Sequence, residues 1–476
     1  MNESPRPRFF SLRDLLAQIR RRFPWPSAEP PTVRPDGNVD AERLRAQVGV
    51  IRNAFRGSGE VAVAGPEGGR RANDDADAIY LFQPGVALVR DNTEERRYYD
   101  EFADFFKRRA GEFKERQPMR RDGVRLPDGL VMVEMPSRSD EADAVLVTLG
   151  EIDDERRELG LDGVVAQPDH VLYVSATGRL CPYTEPEEPP VSEPVPARTG
   201  DTSAGEGVRV SVVDTGLWLQ ATQSSETDWL AGVTPADPQD VENVTSSAIH
   251  EYAGHGTFIA GIIRCLAPST AIEVEGALPD GGAVYESRLC EELHEALTDR
   301  SDPHLISISA GTHTRDNLGL LGFEILAENL GLTDGTKGLV VAAAGNDGSD
   351  VPFYPAAFPW VISVGALDEQ GLVADYSNFG DWVDVWARGS NLVNAFPGGT
   401  YTCHEPPNTG QVRNFKYLAQ WSGTSFATPV VTGAIAAQMS GSGNLDDPKK
   451  AFEQIEAAAQ KCRDRKANGG KHLGPL

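Results

Sequence analysis

The chain has 476 residues, of which 40% are hydrophobic and 24% are charged, and its formal net charge is −26. These values are typical of a globular protein with two or three domains. The acidity argues against nucleic acid as a partner, because phosphates would be repelled. A membrane span is also not predicted, because the sequence lacks a run of about 18 apolar residues.

Residues 1–77 predict a polar N-terminal tail with short helices. An amphipathic pattern at 9–19 indicates a helix packed on the protein or a loose tail, with a membrane surface or a partner as the alternative. A second helical pattern runs from Val39 to Arg56 and has one apolar face: Leu44, Val48, Ile51 and Phe55. Arginines interrupt any signal-peptide core, and the five cysteines are scattered. We therefore expect reduced thiols and a cytoplasmic protein.

Residues 78–180 predict a small α+β domain, because strand patterns alternate with helical ones. The strands are expected at Ile79–Val89, Leu130–Met135 and Val164–Val174, and the helices at Thr93–Lys114 and Asp140–Leu159. Residues 181–206 then read as an extended linker, because a segment rich in Pro and Glu buries little apolar surface.

Residues 207–462 predict a larger α/β domain, followed by a C-terminal tail at 463–476. Its apolar runs alternate with helical segments such as 256–265 and 288–297, which favours a parallel sheet covered on both faces. The expected strands are Val208–Val213, Ile272–Ala277, Leu305–Ser309, Leu339–Ala344 and Trp360–Val364. In such sheets the functional site lies at the carboxyl ends of the strands.

Polar side chains stand at several of these strand ends and helix starts. Asp214 follows the first strand, and His255 leads into a helix. Ser425 stands just ahead of a helix expected over Pro429–Met439, where free N–H groups favour a developing oxyanion. A nucleophilic serine needs a base and a carboxylate that orients it, and these three residues can fill those roles. Asn346, after another strand, can serve with the Ser425 N–H as an oxyanion donor.

Each motif alone also has a structural explanation, such as a strand-end turn or a helix cap. Asp214-Thr-Gly could equally be half of an aspartic-protease pair, but that pair needs a second copy or a dimer, and the chain contains no second Asp-Thr-Gly. The combination of four motifs in one order favours the catalytic interpretation.

These segments resemble the subtilisin-like serine peptidases, or subtilases, over about residues 200–460. The matching stretches are Val213–Gly216, Gly254–Thr257, Ala343–Asn346, Ser377–Gly380 and Ser422–Pro429. The resemblance implies a three-layer α/β fold with a mainly parallel central sheet, preceded here by the small α+β domain. It also implies the catalytic roles: Ser425 as nucleophile, His255 as general base and acid, Asp214 as its orienting partner, and Asn346 as oxyanion donor.

The resemblance also suggests where a polypeptide substrate binds. An edge strand should pair with the substrate and line the pocket for the residue before the scissile bond; its residues are Ser309, Ala310 and Gly311. Tyr354 resembles the opposite wall. Phe353 should shorten the pocket, whereas Asp347 at the rim could attract a basic side chain, so only a restricted pocket is predicted.

Two departures from the family pattern affect metal binding and access to the cleft. The helix after His255 runs into Leu266–Ser269 without the loop that ligates calcium in many subtilases, so we expect no metal and no cofactor. An insertion at Gly398–Ala419 precedes the nucleophile. We interpret it as a surface loop, with a gate over the cleft as the alternative.

The N-terminal domain resembles a subtilase propeptide, which suggests a zymogen. Residues 78–180 would then be a built-in inhibitor and folding aid, released by cleavage between Val174 and Arg198. The alternative is a binding or targeting domain. Two other interpretations of the whole chain stay open: a catalytically silent scaffold that binds peptides, and an effector whose N-terminal region senses a partner.

Overall fold

The computed structural model describes residues 37–66, 71–115, 117–138, 144–161, 163–174, 184–190, 196–242, 248–279, 281–300, 302–333, 337–462, 464–468 and 470–473. The predicted helix at 9–19 lies outside these residues. In the described part, no helix is long and apolar enough to cross a membrane. The α-helices are α1 Gly37–Ala54, α2 Tyr98–Arg108, α3 Val145–Glu158, α4 His255–Leu266, α5 Glu286–Glu295, α6 Leu321–Leu330, α7 Thr424–Ser442 and α8 Pro448–Ala458.

The strands fall into an N-terminal group and a larger C-terminal group. The N-terminal strands are β1 Ala62–Ala64, β2 Tyr80–Arg90, β3 Met119–Arg120, β4 Leu130–Glu134 and β5 Ala166–Tyr173. The others are β6 Arg209–Val213, β7 Thr234–Pro235, β8 Ala248–Ile249, β9 Ala271–Glu275, β10 Ala283–Tyr285, β11 Leu305–Ile308, β12 Leu339–Ala343, β13 Ile362–Leu367, β14 Val385–Arg388, β15 Leu392–Ala395, β16 Gly399–Thr402, β17 Val412–Phe415, β18 Leu418–Trp421, β19 Gln460–Lys461 and β20 Lys471–Leu473.

The C-terminal half is built on a nine-stranded sheet in the order β19-β20-β14-β13-β12-β11-β6-β9-β7. Its strands are parallel except for the β19–β20 pair. Helices α4 and α7 pack against one apolar face of the sheet, and α5 and α6 pack against the other. The predicted three-layer α/β fold with a mainly parallel sheet is confirmed. The parallel order brings the carboxyl ends of β6, β11 and β12 to one edge.

The N-terminal sheet has the order β10-β5-β2-β4-β3, with β1 added on β2. Strand β10 comes from the larger domain and pairs antiparallel with β5, so the two parts of the chain share one sheet. The helix predicted over Val39–Arg56 is confirmed as α1, and the four residues of its apolar face are all buried. Because α1 packs near β1 and β1 pairs with β2, the predicted boundary at residue 78 falls inside this unit.

Two sequence expectations do not match the structure. The insertion at 398–419 is not a simple surface loop, because β16 and β17 form an antiparallel hairpin that also pairs with β8. In the predicted linker, residues 184–190 lie against this insertion, and Glu185 and Pro186 are buried. The prediction was wrong there because polar and main-chain contacts hold the segment, and composition does not report such contacts.

Candidate active site

The carboxylate of Asp214 and the imidazole of His255 form a buried pair. Asp214 follows β6 and His255 begins α4, and the Oδ1 of Asp214 lies 2.7 Å from the Nδ1 of His255. Both side chains are fully buried. A carboxylate on Nδ1 holds the tautomer in which Nε2 can accept a proton.

The loops that carry this pair are held together by Glu242, a buried carboxyl that the sequence analysis missed. Glu242 accepts hydrogen bonds from the Thr215 hydroxyl at 2.6 Å and from the Gly254 amide at 2.8 Å. It therefore links the residue after Asp214 to the residue before His255. Burial raises the pKa of Glu242 to about 8. A single glutamate in a loop carries no sequence signal for this role.

A glycine at position 256 lets α4 begin against the Asp214 loop. A Cβ added to Gly256 would lie 2.5 Å from the Gly216 carbonyl oxygen and 3.2 Å from the Asp214 Cβ. Contacts this close with backbone exclude any side chain. The glycine after His255 is thus explained by packing around the His255–Asp214 pair.

Ser425 lies in the first turn of α7, because the helix begins at Thr424 and not at Pro429 as predicted. Pro429 has no N–H, so it cannot donate to the carbonyl of Ser425 four residues earlier. The hydroxyl of Ser309 donates to that carbonyl instead, at 2.9 Å. This contact fixes the nucleophile turn to the edge of β11.

The Ser425 hydroxyl and the His255 ring are not hydrogen-bonded to each other, although residues close to Ser425 in sequence pack against that ring. The His255 ring packs 5.3 Å from the ring of Phe426, the neighbour of Ser425, and 5.5 Å from that of Trp421. Its Nε2 is buried without a hydrogen-bond partner, and the Ser425 hydroxyl donates to the Ser309 carbonyl at 3.4 Å. Catalytic hydrogen bonds are often unformed before substrate binds.

Asn346 is anchored beside the nucleophile. It follows β12, and its Oδ1 accepts hydrogen bonds from the backbone amide and the hydroxyl of Thr424, at 2.8 and 3.0 Å. Thr424 immediately precedes Ser425, so the amide group of Asn346 is held near the start of α7. The sequence predicted this proximity without the anchoring role of Thr424.

The predicted edge strand is occupied by the chain itself. Tyr173, at the end of β5, exchanges two backbone hydrogen bonds with Gly311, both at 3.1 Å. The next amide, that of Val174, donates to the Gly282 carbonyl at 2.8 Å. An extended segment of the N-terminal domain therefore lies between Gly311 and Gly282.

The ring of Phe353 fills the space beside the predicted pocket. Phe353 is 2% exposed. A Cβ on Gly311 would lie 2.3 Å from its Cε1, and one on Gly345 would lie 3.0 Å from its Cγ. Tyr354 follows, half-buried, and its hydroxyl donates to the Asn317 carbonyl. A restricted pocket is consistent with this packing.

The carboxylate of Asp347 is engaged by protein groups. Its Oδ2 lies 3.2 Å from the Nε2 of His313 and 3.3 Å from the Nδ2 of Asn378, and the side chain is 8% exposed. Burial lowers the pKa of His313, but the hydrogen bond and charge of Asp347 outweigh it and raise that pKa overall. Attraction of a basic substrate side chain to Asp347 remains a prediction, and it would compete with His313.

The chain is similar to several known proteins. The chain is 29% identical over 273 residues to the "Thermophilic serine proteinase" of Bacillus sp. (strain AK1), covering 53% of this chain and 57% of that relative, so it spans little more than half of that protein. It is 29% identical to thermitase of Thermoactinomyces vulgaris, covering 57% of this chain and 86% of the relative. A cold adapted subtilisin-like serine proteinase of known structure aligns at 23% identity and a TM-score of 0.43, covering 57% of this chain and 90% of that chain.

A family model described as "Subtilase family" matches residues 205–468. This match covers more than half of the chain and includes Asp214, His255, Asn346 and Ser425. The chain therefore belongs to the subtilase family.

Proposed function

We propose that this chain hydrolyses peptide bonds through an acyl-enzyme on Ser425, and that its N-terminal domain keeps it latent by occupying the cleft. The hydrolytic part is supported by family membership and by the buried Asp214–His255 pair at 2.7 Å. The observation that carries the latency is the backbone pairing of Tyr173 with Gly311.

The reaction follows from the positions of these groups. The Ser425 oxygen attacks the substrate carbonyl carbon, and its proton passes to the Nε2 of His255, while Asp214 stabilises the resulting imidazolium. The oxyanion receives hydrogen bonds from the Asn346 amide and the Ser425 N–H. His255 then gives its proton to the leaving amine as the C–N bond breaks. Water, deprotonated by the same ring, hydrolyses the ester and restores the Ser425 hydroxyl.

Latency follows from competition for the same main-chain groups. An extended substrate would add a strand to the sheet edge through the N–H and carbonyl of Gly311. Tyr173 already uses both groups, and Val174 uses the Gly282 carbonyl. A substrate therefore binds there only after residues 173–174 leave.

A buried polar interface supports the docking of the N-terminal domain. The carboxyl group of Glu286 accepts hydrogen bonds from the amides of Gly322 and Phe323 at the start of α6, and it lies 3.3 Å from the Nδ1 of His170. The Arg315 amide donates to the Nε2 of His170, so the neutral ring carries its proton on Nδ1 and donates it to Glu286. The contacts of His170 with Glu286 and with the Arg315 amide cross between the two domains, so undocking would break them, whereas the bonds from Gly322 and Phe323 lie within the larger domain.

Neighbouring contacts extend this interface. Asp169 accepts hydrogen bonds from the amide and the hydroxyl of Ser287 at 3.0 and 2.7 Å. The guanidinium of Arg315 donates to Gln167 and Asp153 of the N-terminal domain. Docking by several such bonds favours an inhibitory domain over a loosely tethered targeting domain.

The test compares the purified full-length protein with its Ser425→Ala variant by intact mass and by labelling with a fluorophosphonate, which reacts only with an activated serine. We expect the wild type to lose its N-terminal domain by a cut between Val174 and Arg198 and then to label at Ser425. The variant should stay uncut and unlabelled.

Two results would count against the proposal separately. If the wild type takes no label even after a trace of added protease has removed the N-terminal domain, the peptidase assignment is wrong. If the uncut wild type labels as fast as the cut form, the enzyme is active but not latent.

A further inference from the structure

The segment at 184–190 lies in a groove formed by the insertion and the strand before the nucleophile. We call this the insertion groove; its residues are Tyr401, His404, Arg413, Asn414, Gln420 and Trp421. The amides and carbonyls of Glu187 and Gln420 exchange hydrogen bonds at 2.9 and 2.8 Å, so the segment forms a single antiparallel bridge with β18. The indole N–H of Trp421 donates to the Thr184 carbonyl.

The side chain of Glu185 is the anchor of this contact. Its Oε1 accepts hydrogen bonds from the Tyr401 hydroxyl at 3.0 Å and from the His404 amide at 2.8 Å, and it lies 3.0 Å from the His404 Nδ1. Only 7% of the residue is exposed. A buried carboxylate with three polar contacts indicates a pocket shaped for that group.

The charges in this pocket are matched. Burial raises the pKa of Glu185, but the hydrogen bond and charge of His404 outweigh it, so the pKa of this carboxyl lies below its ordinary value. Burial lowers the pKa of His404, but Glu185 and Glu405 raise it above its ordinary value. The groove therefore pairs the imidazole of His404 with the carboxyl of Glu185, and each group favours the charged form of the other.

The next residues are held by a second cation and by the backbone. The guanidinium of Arg413 donates to the Pro186 carbonyl at 2.7 Å and lies 3.4 Å from the Glu185 carbonyl. The Asn414 amide donates to the Glu188 carboxylate at 3.0 Å. The Glu187 side chain, by contrast, is exposed. The groove therefore contacts the side-chain carboxylate of Glu185 and the backbone carbonyl of Pro186. Its contact with Glu187 is to the backbone.

The insertion groove lies next to the His255–Asp214 pair. It binds residues that follow the proposed cut, whereas Gly311 binds Tyr173, which precedes the cut. The Trp421 ring that holds Thr184 packs edge-on against the His255 ring at 5.5 Å. Val174 is bound at Gly282, before the proposed cut, and Thr184 is bound at Trp421, after it. A substrate bound in the same direction, from Gly282 towards Trp421, would place the residues after its scissile bond in the insertion groove.

We propose that the insertion groove is a specificity site for the leaving-group side of the substrate, and that it takes extended acidic peptides with a glutamate at the position of Glu185. This inference rests on the proposed function for its role in catalysis, although binding alone can be tested without it. Residues 184–190 are its occupant in this chain.

The binding test uses full-length Ser425→Ala protein that also carries Glu185→Ala, so that its own segment is weakened. The probe is a fluorescein-labelled peptide of residues 184–190, compared by anisotropy with two peptides that carry Gln in place of the first or the second glutamate. We expect the first replacement to weaken binding at least about tenfold and the second less than about twofold. Protein with the matched change Glu187→Ala should bind at least about tenfold more weakly than the Glu185→Ala protein, because its own segment still fills the groove.

Equal binding of all three peptides, or no binding at millimolar peptide, would overturn the proposal. A second measurement applies if Glu185→Ala unfolds. Hydrogen exchange of the Glu187 amide in the Ser425→Ala protein should speed at least about tenfold with Glu185→Gln and stay unchanged with Asn408→Ala, a substitution in the insertion outside the contacts above. Unchanged exchange with Glu185→Gln would also overturn it.

The catalytic role is tested with quenched-fluorescence substrates that differ only after the scissile bond. On active protein carrying Glu185→Ala, the Thr-Glu-Pro-Glu extension should lower KM at least about fivefold relative to Thr-Gln-Pro-Gln. Equal KM values with normal turnover would contradict the specificity role while leaving the peptidase intact. Absence of turnover and of fluorophosphonate labelling would instead contradict the proposed function, and the peptide-binding result would stand.

Discussion

The polar contacts that hold the chain at the Gly311 edge are main-chain bonds, whereas the insertion groove adds hydrogen bonds to a side-chain carboxylate. Tyr173 and Val174 are fixed by backbone groups of Gly311 and Gly282, which any extended peptide could use. Glu185 is fixed by a hydroxyl and an imidazole that suit a carboxylate. The comparison suggests that the first contact supplies affinity with little sequence preference, and that the second supplies selectivity. The tests below are ordered by the size of the expected effect.

The largest effect is expected at the catalytic residues between the two regions. A substitution there should act on the chemical step and not on either contact. Asn346→Ala removes one oxyanion donor, so we expect kcat on a short peptide to fall about 10²- to 10³-fold. KM should change little, because the oxyanion interaction is made in the transition state, whereas the thermal midpoint should fall, because the Thr424 amide and hydroxyl lose their acceptor. Steady-state kinetics on protein freed of its N-terminal domain measure this. A fall smaller than about fivefold would remove Asn346 from the catalytic set.

The Gly311 edge should be opened by weakening the packing of the segment that occupies it. Tyr173 is 1% exposed and shares a buried cluster with Phe353 and α1. Truncating a buried ring costs about 3–5 kcal/mol, so Tyr173→Ala should raise fluorophosphonate labelling of uncut protein by about 10²-fold. Leu159→Ala, at a residue 65% exposed in the same domain, is the control. Equal labelling rates for the two variants would mean that Tyr173 does not close the cleft.

The free energy of unfolding of the docked protein should fall as the pH rises from about 4 to about 8. Burial raises the pKa of Asp169 from 3.8 to about 7 and that of Glu286 from 4.5 to about 8. Both carboxyls therefore hold protons in the folded protein that the unfolded chain has lost, and stability falls as the pH rises through these values. The slope is at most about 1.4 kcal/mol per pH unit for each group.

His170 acts in the opposite direction and in a different range. Burial lowers its pKa from 6.5 to about 3, so its contribution is lost as the pH falls from 6.5 towards 3. Urea unfolding of the Ser425→Ala protein at pH 6.5 and at pH 8 measures the contribution of the two carboxyls to stability separately from that of His170. We expect Glu286→Gln to reduce the loss of stability, with the exposed Glu328→Gln as control. An unchanged pH dependence in Glu286→Gln would show that this carboxyl is ionised throughout.

The smallest effect concerns selectivity at the Gly311 edge. Phe353→Gly removes the ring that packs against Gly311 and Gly345, so large aromatic residues before the scissile bond should be accepted at least about tenfold better. Substrates with alanine at that position serve as the internal reference. A peptide-library profile identical to that of the wild type would show that Phe353 does not limit the pocket.

The sequence was informative where structure depends on local patterns. Apolar runs predicted β6, β9, β11 and β12 within about two residues, and short motifs identified Asp214 and His255, which the structure brings within 2.7 Å. The helix start at Thr424 was missed because Pro429 resembles a first-turn proline, although here it stands inside the helix.

What could not be predicted depends on contacts between distant residues. Glu185 and Tyr401 are 216 positions apart, and neither has a local pattern that names the other. The strands of the insertion are short and polar, and Glu242 is a single loop glutamate whose role appears only once Thr215 and Gly254 converge on it. Such pairs are set by the topology of the chain and not by periodicity.

The position of residues 184–190 has a consequence for how the enzyme would open. A cut within 175–183 leaves the N-terminal domain as a separate molecule, whose release increases on dilution. Residues 184–190 stay tethered to the catalytic body, so their rebinding is independent of concentration and corresponds to a high local concentration. The Gly311 edge would then be vacated as the cut domain diffuses away, whereas the insertion groove would still bind residues 184–190 reversibly. Incoming substrates would have to compete with that tethered segment.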